Sequence, residues 1–404
     1  MRILMLAPYP PFPPRGGGAL RSFSLLRGLA PRHDVTLLAF APDAAAVAAL
    51  APLREICRVA TVLGPPRRSL ARRALSTLAS PLPDMALRNA APAYAQAVSR
   101  LLAAERFDVV QAESIEMAGY ALAARGLGAL LVLDEFNAEY LLQRRAALAD
   151  LRRSPRPRTM LGGLYSLAQW RKLARYERDL LRAFDRVLVV SEGDRAALRR
   201  LERRADPAVV PNGVDTATLR PGPVRGELGA ATLVFTATLD YRPNIDALRW
   251  FVGEVLPQIR RRRPDARLLV VGRAAGPAVR ALAGEAVEVV GEVPDVRPYI
   301  AGAAVYVVPM RIGGGSRLKL LEALAMEAAV VSTPMGAEGV TGLRDGEQLL
   351  LAASPEGFAK ATLRLIDDPE LGVRLGRAGR AHVVTHYDWR TIIPRLEAVY
   401  TGAA

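Results

Sequence analysis

Residues 305–334 read VYVVPMRIGGGSRLKLLEALAMEAAVVSTP. An apolar run of strand length, Val305–Pro309, leads into three glycines and a serine. A helical pattern follows over Arg317–Ala325, and a second apolar run, Ala329–Pro334, closes the stretch. Strand, glycine loop, helix, strand is the unit from which parallel sheets with helices on both faces are built.

The same alternation recurs along the chain. Before residue 200 the strand-length runs are RILMLAP, HDVTLLAF, FDVVQAE, ALLVLDEF and RVLVVSE, with helical patterns over Leu20–Leu29, Ala93–Ala104 and Ser166–Ala183. After residue 230 they are TLVFTATL, ARLLVVG, VEVVGEV, VYVVP and AVVSTP, with helices expected over Ile245–Arg262, Arg317–Ala325 and Pro355–Asp367. Between the two sets, residues 205–227 (ADPAVVPNGVDTATLRPGPVRGE) are rich in Pro, Gly and Asp and carry no long periodic element, which places a boundary near residue 220. The expectation is therefore an α/β protein of two doubly wound domains. Ligands bind such sheets beyond the carboxyl ends of the strands, so two of them facing each other would form a cleft.

Composition agrees with a globular chain: 404 residues with 51% apolar content suffice for two buried cores. Cys57 is the only cysteine, which excludes an intramolecular disulfide and any thiolate cluster for zinc or iron–sulfur, and fits a reducing cytoplasm. Prolines interrupt the N-terminal MRILMLAPYPPFPPRGGG well short of a signal-peptide core, and Ala118–Leu133 is cut by Arg125 and two glycines, so no transmembrane helix is expected. The net charge of +15 admits a polyanion or an anionic membrane surface as partner. Nearly all the cations are arginine, however, and with the high alanine content this points to codon bias as much as to binding. Only Lys172, Lys319 and Lys360 are lysines, so the compact ammonium of Lys319 beside the glycine run stands out.

Two glycine loops read as anion sites. Arg15-Gly16-Gly17-Gly18-Ala19 follows the first strand, and Gly313-Gly314-Gly315-Ser316 precedes the helix that carries Lys319 and Glu322. Glycine lets a backbone approach a ligand, and free amides at a helix start attract phosphate oxygens. Arg311, Arg317 and Lys319 surround the second loop, while Lys319 and Glu322, three apart, share a helix face. An ammonium for a diphosphate and a carboxylate for ribose hydroxyls suit a nucleotide-sugar. Neither G-x-G-x-x-G after the first strand nor G-x-x-x-x-G-K-[ST] is present, so hydride transfer and P-loop hydrolysis lose ground.

Six stretches carry a resemblance over nearly the whole chain: the loop at Gly16–Gly18, HDVTLLA from His33, VVPNGVDTATLRP from Val209, RPDARLLVVG from Arg263, GEVPDVRPYIAGAAVYVVP from Gly291, and GGGSRLKLLEALAMEAAVVSTPMGAEG from Gly313. They resemble the retaining, metal-independent glycosyltransferases of the GT-B fold, family 4 or group 1. The resemblance implies two Rossmann-like domains facing a cleft: an acceptor-side domain over 1–205, a linker over 206–225, a nucleotide-sugar domain over 226–385, and a final helix in 386–404 packing back toward the first domain. It implies a nucleoside-diphosphate-sugar donor, a glycan, lipid-linked or small-molecule acceptor, no cofactor and no metal, and a cytoplasmic chain that can sit peripherally at the inner membrane face. Glu322 matches the glutamate that binds ribose. Lys319, Arg311 and the amides of Gly314, Gly315 and Ser316, flanked by Arg317 and Leu318, would neutralise the departing diphosphate, with Gly16, Gly17 and Gly18 closing over it. Gly272, Arg273, Val293 and Pro294 fall where the family builds its base pocket, and Arg242 lies near an expected phosphate cation, although Asn244 occupies another such place.

Two departures stand out. Gly314 replaces a glutamate that many relatives carry eight positions before Glu322, and Phe136, in LDEFNAEY, stands where the family supplies an active-site histidine. The remaining acceptor-side candidates are Glu113, Asp134 and Asn137. A protein that binds sugar nucleotides without transferring them is the rival reading that these departures motivate. A GT-B epimerase fits poorly with three histidines, and nucleic-acid binding lacks interleaved aromatics. The arginine-rich stretch from Arg144 to Arg178 reads either as a solvated face or as a patch toward anionic lipid.

Overall fold

The computed structural model describes residues 1–65, 68–153, 157–222, 228–313 and 317–403. The chain divides into two compact units, Met1–Pro211 with Ile392–Ala404, and Asn212–Thr391. Each is a Rossmann-like, doubly wound α/β unit.

The first is built on seven parallel strands: β1 (Arg2–Ala7), β2 (Asp34–Ala41), β3 (Arg58–Leu63), β4 (Val109–Glu113), β5 (Leu130–Glu135), β6 (Arg186–Val189) and β7 (Ala208–Val209). Their order is β3-β2-β1-β4-β5-β6-β7. Leu4 of β1 lies opposite Thr36 on one side and Val110 on the other. Ile3 to Ala7 are all fully buried, because helices cover both faces of the sheet, and this is why the sequence shows a continuous apolar run instead of alternation. The chain reverses direction across the sheet between β1 and β4, so the crevice beyond their carboxyl ends is where a ligand of this unit belongs.

The second unit repeats the plan with β8 (Thr232–Thr236), β9 (Arg267–Val271), β10 (Val287–Gly291), β11 (Val305–Val308), β12 (Val330–Ser332) and β13 (Leu350–Leu351), in the order β10-β9-β8-β11-β12-β13, all parallel. Its switch point lies between β8 and β11, directly before the glycine run.

Several details differ from the sequence-based expectation. Strands β3, β7 and β13 were not anticipated: β3 is a sheet edge with exposed ends, and β7 and β13 are two residues each, so none carries a strong apolar run. The helix expected over Ile245–Arg262 is divided into Arg242–Trp250, a π-helical turn over Phe251–Val255, and Leu256–Arg262. The widened turn ends two residues before Pro257, which has no N–H for the helical ladder. Residues 206–225, read as a linker, are divided between the units. Ala208–Val209 joins the first sheet, whereas Val214 and Thr216 are tied to Asp388 in the second unit. No described helix is long and apolar enough to cross a membrane.

Candidate functional site

In the second unit the chain leaves β11 through Pro309 and Met310 and enters the helix Leu318–Ala325. That helix buries Leu320, Leu321, Ala323, Leu324 and Ala325, so its other face carries Lys319 and Glu322 on adjacent turns. Lys319 Nζ donates to Asn244 Oδ1 at 2.8 Å, lies 4.2 Å from the centre of the Phe235 ring and contacts Met310 Sδ at 4.0 Å. No described residue forms an ion pair with it. Burial pushes its ammonium down to about 7, the Arg317 charge acts in the same direction, and Glu322 opposes both. Burial raises the Glu322 carboxyl, against the pull of Lys319. A half-buried cation whose nearest polar partner is a neutral amide is set up to gain from an incoming anion.

The other predicted residues of this unit are placed as follows. Arg311 makes a bidentate pair with Asp246, 3.1 Å for each bond, over the Trp250 ring, so its charge is already compensated. Arg317 is buried, and its guanidinium lies where a side chain on Gly313 would have to go: a Cβ there would stand 2.4 Å from the Arg317 Nη2. Leu318 opens the helix. Gly314, Gly315 and Ser316 lie outside the described residues. Arg242 is exposed at the first turn of its helix, and the buried Asn244 donates its amide to the Thr238 carbonyl while accepting from Lys319. Gly272, with φ 147°, follows β9, where its amide donates to the Gly291 carbonyl at 2.7 Å. Arg273 accepts from the Leu239 amide through its carbonyl, and Val293 and Pro294 lie in the loop after β10.

In the first unit, Gly16 (φ 105°) precedes the helix Gly17–Leu29, which begins three residues before the expected Leu20. Gly18 is packed closely: a Cβ there would stand 1.9 Å from the Tyr9 hydroxyl and 3.0 Å from Phe136. Phe136 thus closes against the glycine loop, an apolar contact where the resemblance implied an imidazole. One turn on, Arg21 is 1% exposed and holds Asp134 with two bonds of 2.7 and 2.9 Å. Ser22 donates to Glu113 at 2.5 Å. Glu113 and Asp134, candidates for the acceptor side, are both fully buried at the ends of β4 and β5 and face this helix. Removing Asp134 alone would take the paired carboxylate from a buried guanidinium, a change that costs about 3–5 kcal/mol. Ser114, next after Glu113, adopts φ 80°, a strained value for serine, while its amide donates to the Asp134 carbonyl. Asn137 donates to Glu139 at 3.4 Å.

Behind β5 lies a second group of carboxyls. Glu177 accepts from the amides of Glu139 and Tyr140 at 2.7 and 2.8 Å, Asp194 accepts from Ala138, and the buried Glu135 lies beside Glu177. Burial raises the carboxyls of Glu113 and Glu139 to about 7 and Glu177 to about 8, and those of Asp134 and Glu135 upward. For such groups the folded state binds more protons than the unfolded one between about pH 4.5 and 8, so stability falls as pH rises through that window. Lys319 acts in the opposite sense only above about pH 7. Thermal unfolding of the first unit, followed by calorimetry, is therefore expected at a higher temperature at pH 5.5 than at pH 8; a flat or reversed profile would contradict these environments.

Sequence reasoning did not find Tyr9, Arg21, Ser22, Gln111 or Asp246. The only signal for Arg21 and Ser22 was their polarity beside Leu20, Phe23, Leu25 and Leu26 on one helix. Among the described residues no group of three His, Cys, Asp or Glu side chains is arranged to hold a metal ion.

Comparison with known proteins follows the same division. The family described as Glycosyl transferase 4-like domain matches residues 16–213, and Glycosyl transferases group 1 matches residues 230–368. A phosphatidyl-myo-inositol mannosyltransferase of Mycolicibacterium smegmatis is 29% identical over 206 residues, 48% of this chain and 52% of that protein. An uncharacterised 44.6 kDa protein in the cps region of Klebsiella pneumoniae is 30% identical over 143 residues, 33% of this chain and 37% of that one. The chain thus spans about half the length, or less, of these curated relatives. Among solved structures, HepE of Anabaena in complex with UDP and glucose aligns over 100% of both chains with a TM-score of 0.70 at 17% identity. Sucrose-phosphate synthase of Thermosynechococcus elongatus aligns over 100% of this chain and 99% of its own with a TM-score of 0.73 at 19% identity. At these identities the structural likeness establishes the fold alone.

Proposed function

Because the chain belongs to the group 1 glycosyltransferases, we propose that it is a retaining, metal-independent enzyme that moves a sugar from a nucleoside-diphosphate-sugar to a glycan, lipid-linked or small-molecule acceptor. The observation that carries this reading is the pair formed by Lys319 and Glu322 on one helix face, beyond the switch point of the second sheet, with the ammonium held by an amide instead of a carboxylate. The crystallised HepE complex with UDP and glucose, and the mannosyltransferase relative, support a nucleotide-sugar donor.

In this mechanism Lys319 takes up the charge that gathers on the leaving diphosphate. Glu322 accepts from the ribose hydroxyls. The acceptor hydroxyl attacks the anomeric carbon from the leaving group's own side, and its proton passes to the departing phosphate oxygen, so configuration is retained without a protein nucleophile. Arg311, already paired with Asp246, fixes the helix Arg242–Trp250 that supplies Asn244 to Lys319. Peripheral attachment through the arginine-rich stretch Arg144–Arg178 is part of the proposal, and flotation with liposomes that shows no dependence on anionic lipid would remove it.

Proton NMR of the first-formed product tests the stereochemistry, with the same anomeric configuration expected in donor and product. An inverted product would overturn retention. Turnover that disappears with a chelator and returns with a divalent cation would overturn metal independence.

A further inference from the structure

We propose that Tyr400, on the last helix of the chain, is a positioning residue for the Gly16–Gly18 loop, acting through Gln111 and Glu113 on Ser22. The four side chains form one buried line. The Tyr400 hydroxyl donates to Gln111 Oε1 at 2.6 Å, Gln111 Nε2 donates to Glu113 Oε1 at 2.6 Å, and the Ser22 hydroxyl donates to Glu113 Oε2 at 2.5 Å. Their exposures are 7% for Tyr400, 0% for Gln111 and Glu113 and 1% for Ser22, so no water competes for these bonds.

When ionised, above about pH 7, Glu113 only accepts, so both Ser22 and Gln111 then donate to it. That orients the Gln111 amide, leaving its carbonyl oxygen toward the last helix, where only a donor such as the tyrosine hydroxyl satisfies it. Arg21, the neighbour of Ser22, is held in parallel by Asp134, so consecutive residues of the loop helix are pinned to consecutive strands β4 and β5.

The last helix, Trp389–Thr401, holds the loop helix at its other end as well. Gly28 leaves room for Ile393, since a Cβ there would stand 2.4 Å from its Cγ1. Glu397 bonds His33 at 2.8 Å and pairs with Arg32 at 3.0 Å, just beyond the end of the helix Gly17–Leu29. Contacts at both ends set where that helix lies along its own axis, and hence where its N-terminal glycines stand. A change at residue 400 is thereby transmitted to residues 16–18.

Amide hydrogen exchange on the free protein tests the line without any substrate. Tyr400→Phe removes one hydroxyl and keeps the ring. Exchange over residues 16–22 is expected to accelerate by about tenfold or more, while the helix Leu318–Ala325 of the second unit is unchanged. Ser22→Ala is expected to accelerate exchange over residues 398–401 from the opposite end, and Tyr400→Phe combined with Ser22→Ala to do little more than either alone. Wild-type exchange over residues 16–22 in folded Tyr400→Phe would overturn the proposal. Should Tyr400→Phe not fold, unchanged exchange over residues 398–401 in Ser22→Ala would overturn it equally.

Discussion

Lys319→Ala should lower kcat by about 10²-fold or more, the loss seen when one preorganised group that stabilises a leaving-group charge is removed. The size of the effect follows from the surroundings of the ammonium. It lies against Phe235 and Met310 with one neutral hydrogen-bond partner, and the nearby Arg311 is already engaged by Asp246. The same setting links binding to protons. In the free protein burial holds the group near 7, so at pH 8 it is mostly neutral. A bound diphosphate favours the charged form and raises that value. Nucleotide binding at pH 8 is therefore expected to take up most of one proton, and binding at pH 6 almost none. Calorimetry in two buffers of different ionisation enthalpy reads this directly. Lys319→Ala should abolish the uptake. Buffer-independent heats for the wild type at pH 8 would show that the ammonium does not meet the diphosphate.

Gly272→Ala should be strongly damaging to the stability of the second unit. Two costs add there. The residue has φ 147°, which side-chain-bearing residues adopt only with strain of about 1–3 kcal/mol. A Cβ would also stand 1.7 Å from the Ala237 carbonyl oxygen and 2.8 Å from its carbon, both backbone atoms. Neither side can yield easily, because the Gly272 amide is bonded to Gly291 and the Ala237 amide to Val271. A loss of at least ~3 kcal/mol, or roughly 10 °C in the unfolding temperature of this unit, is expected. Gly276→Ala is the control, since a Cβ there meets nothing within 4 Å and φ is −77°. Equal unfolding temperatures for the two variants would contradict the close approach. The role of Gly272 is thus first to let the ends of β8 and β9 converge, and any contact with a base is secondary to that.

How much of this was legible in the sequence depended on how local the signal was. Strands β1, β2, β4, β8, β9 and β11 are buried, and burial on both faces writes an apolar run that survives any reading frame. The edge and two-residue strands leave no such trace. That Lys319 and Glu322 share one helix face was readable because they are three residues apart, in a chain with only three lysines. The buried frame of the first unit was not. Arg21 and Asp134 are separated by 113 residues and Gln111 and Tyr400 by 289, so their pairing exists only once the sheet order is known. Glu113 was picked out at a strand end and Asp134 as a neighbour of Phe136, and the structure shows both turned inward to hold a helix. Phe136 was legible only as a departure; that its ring packs on Gly18 became visible in three dimensions.

The central claim is that the Lys319 and Glu322 face receives a nucleoside-diphosphate-sugar and that the bound donor is turned over. Isothermal titration of UDP-, GDP-, ADP- and dTDP-sugars into the wild type and Lys319→Ala, followed by donor hydrolysis with whichever binds, tests it most directly. The account predicts saturable binding of at least one donor and slow release of its sugar to water, with weaker binding and release slowed by about 10²-fold or more in the variant. Absence of binding across the panel, or binding that Lys319→Ala leaves intact, would contradict it.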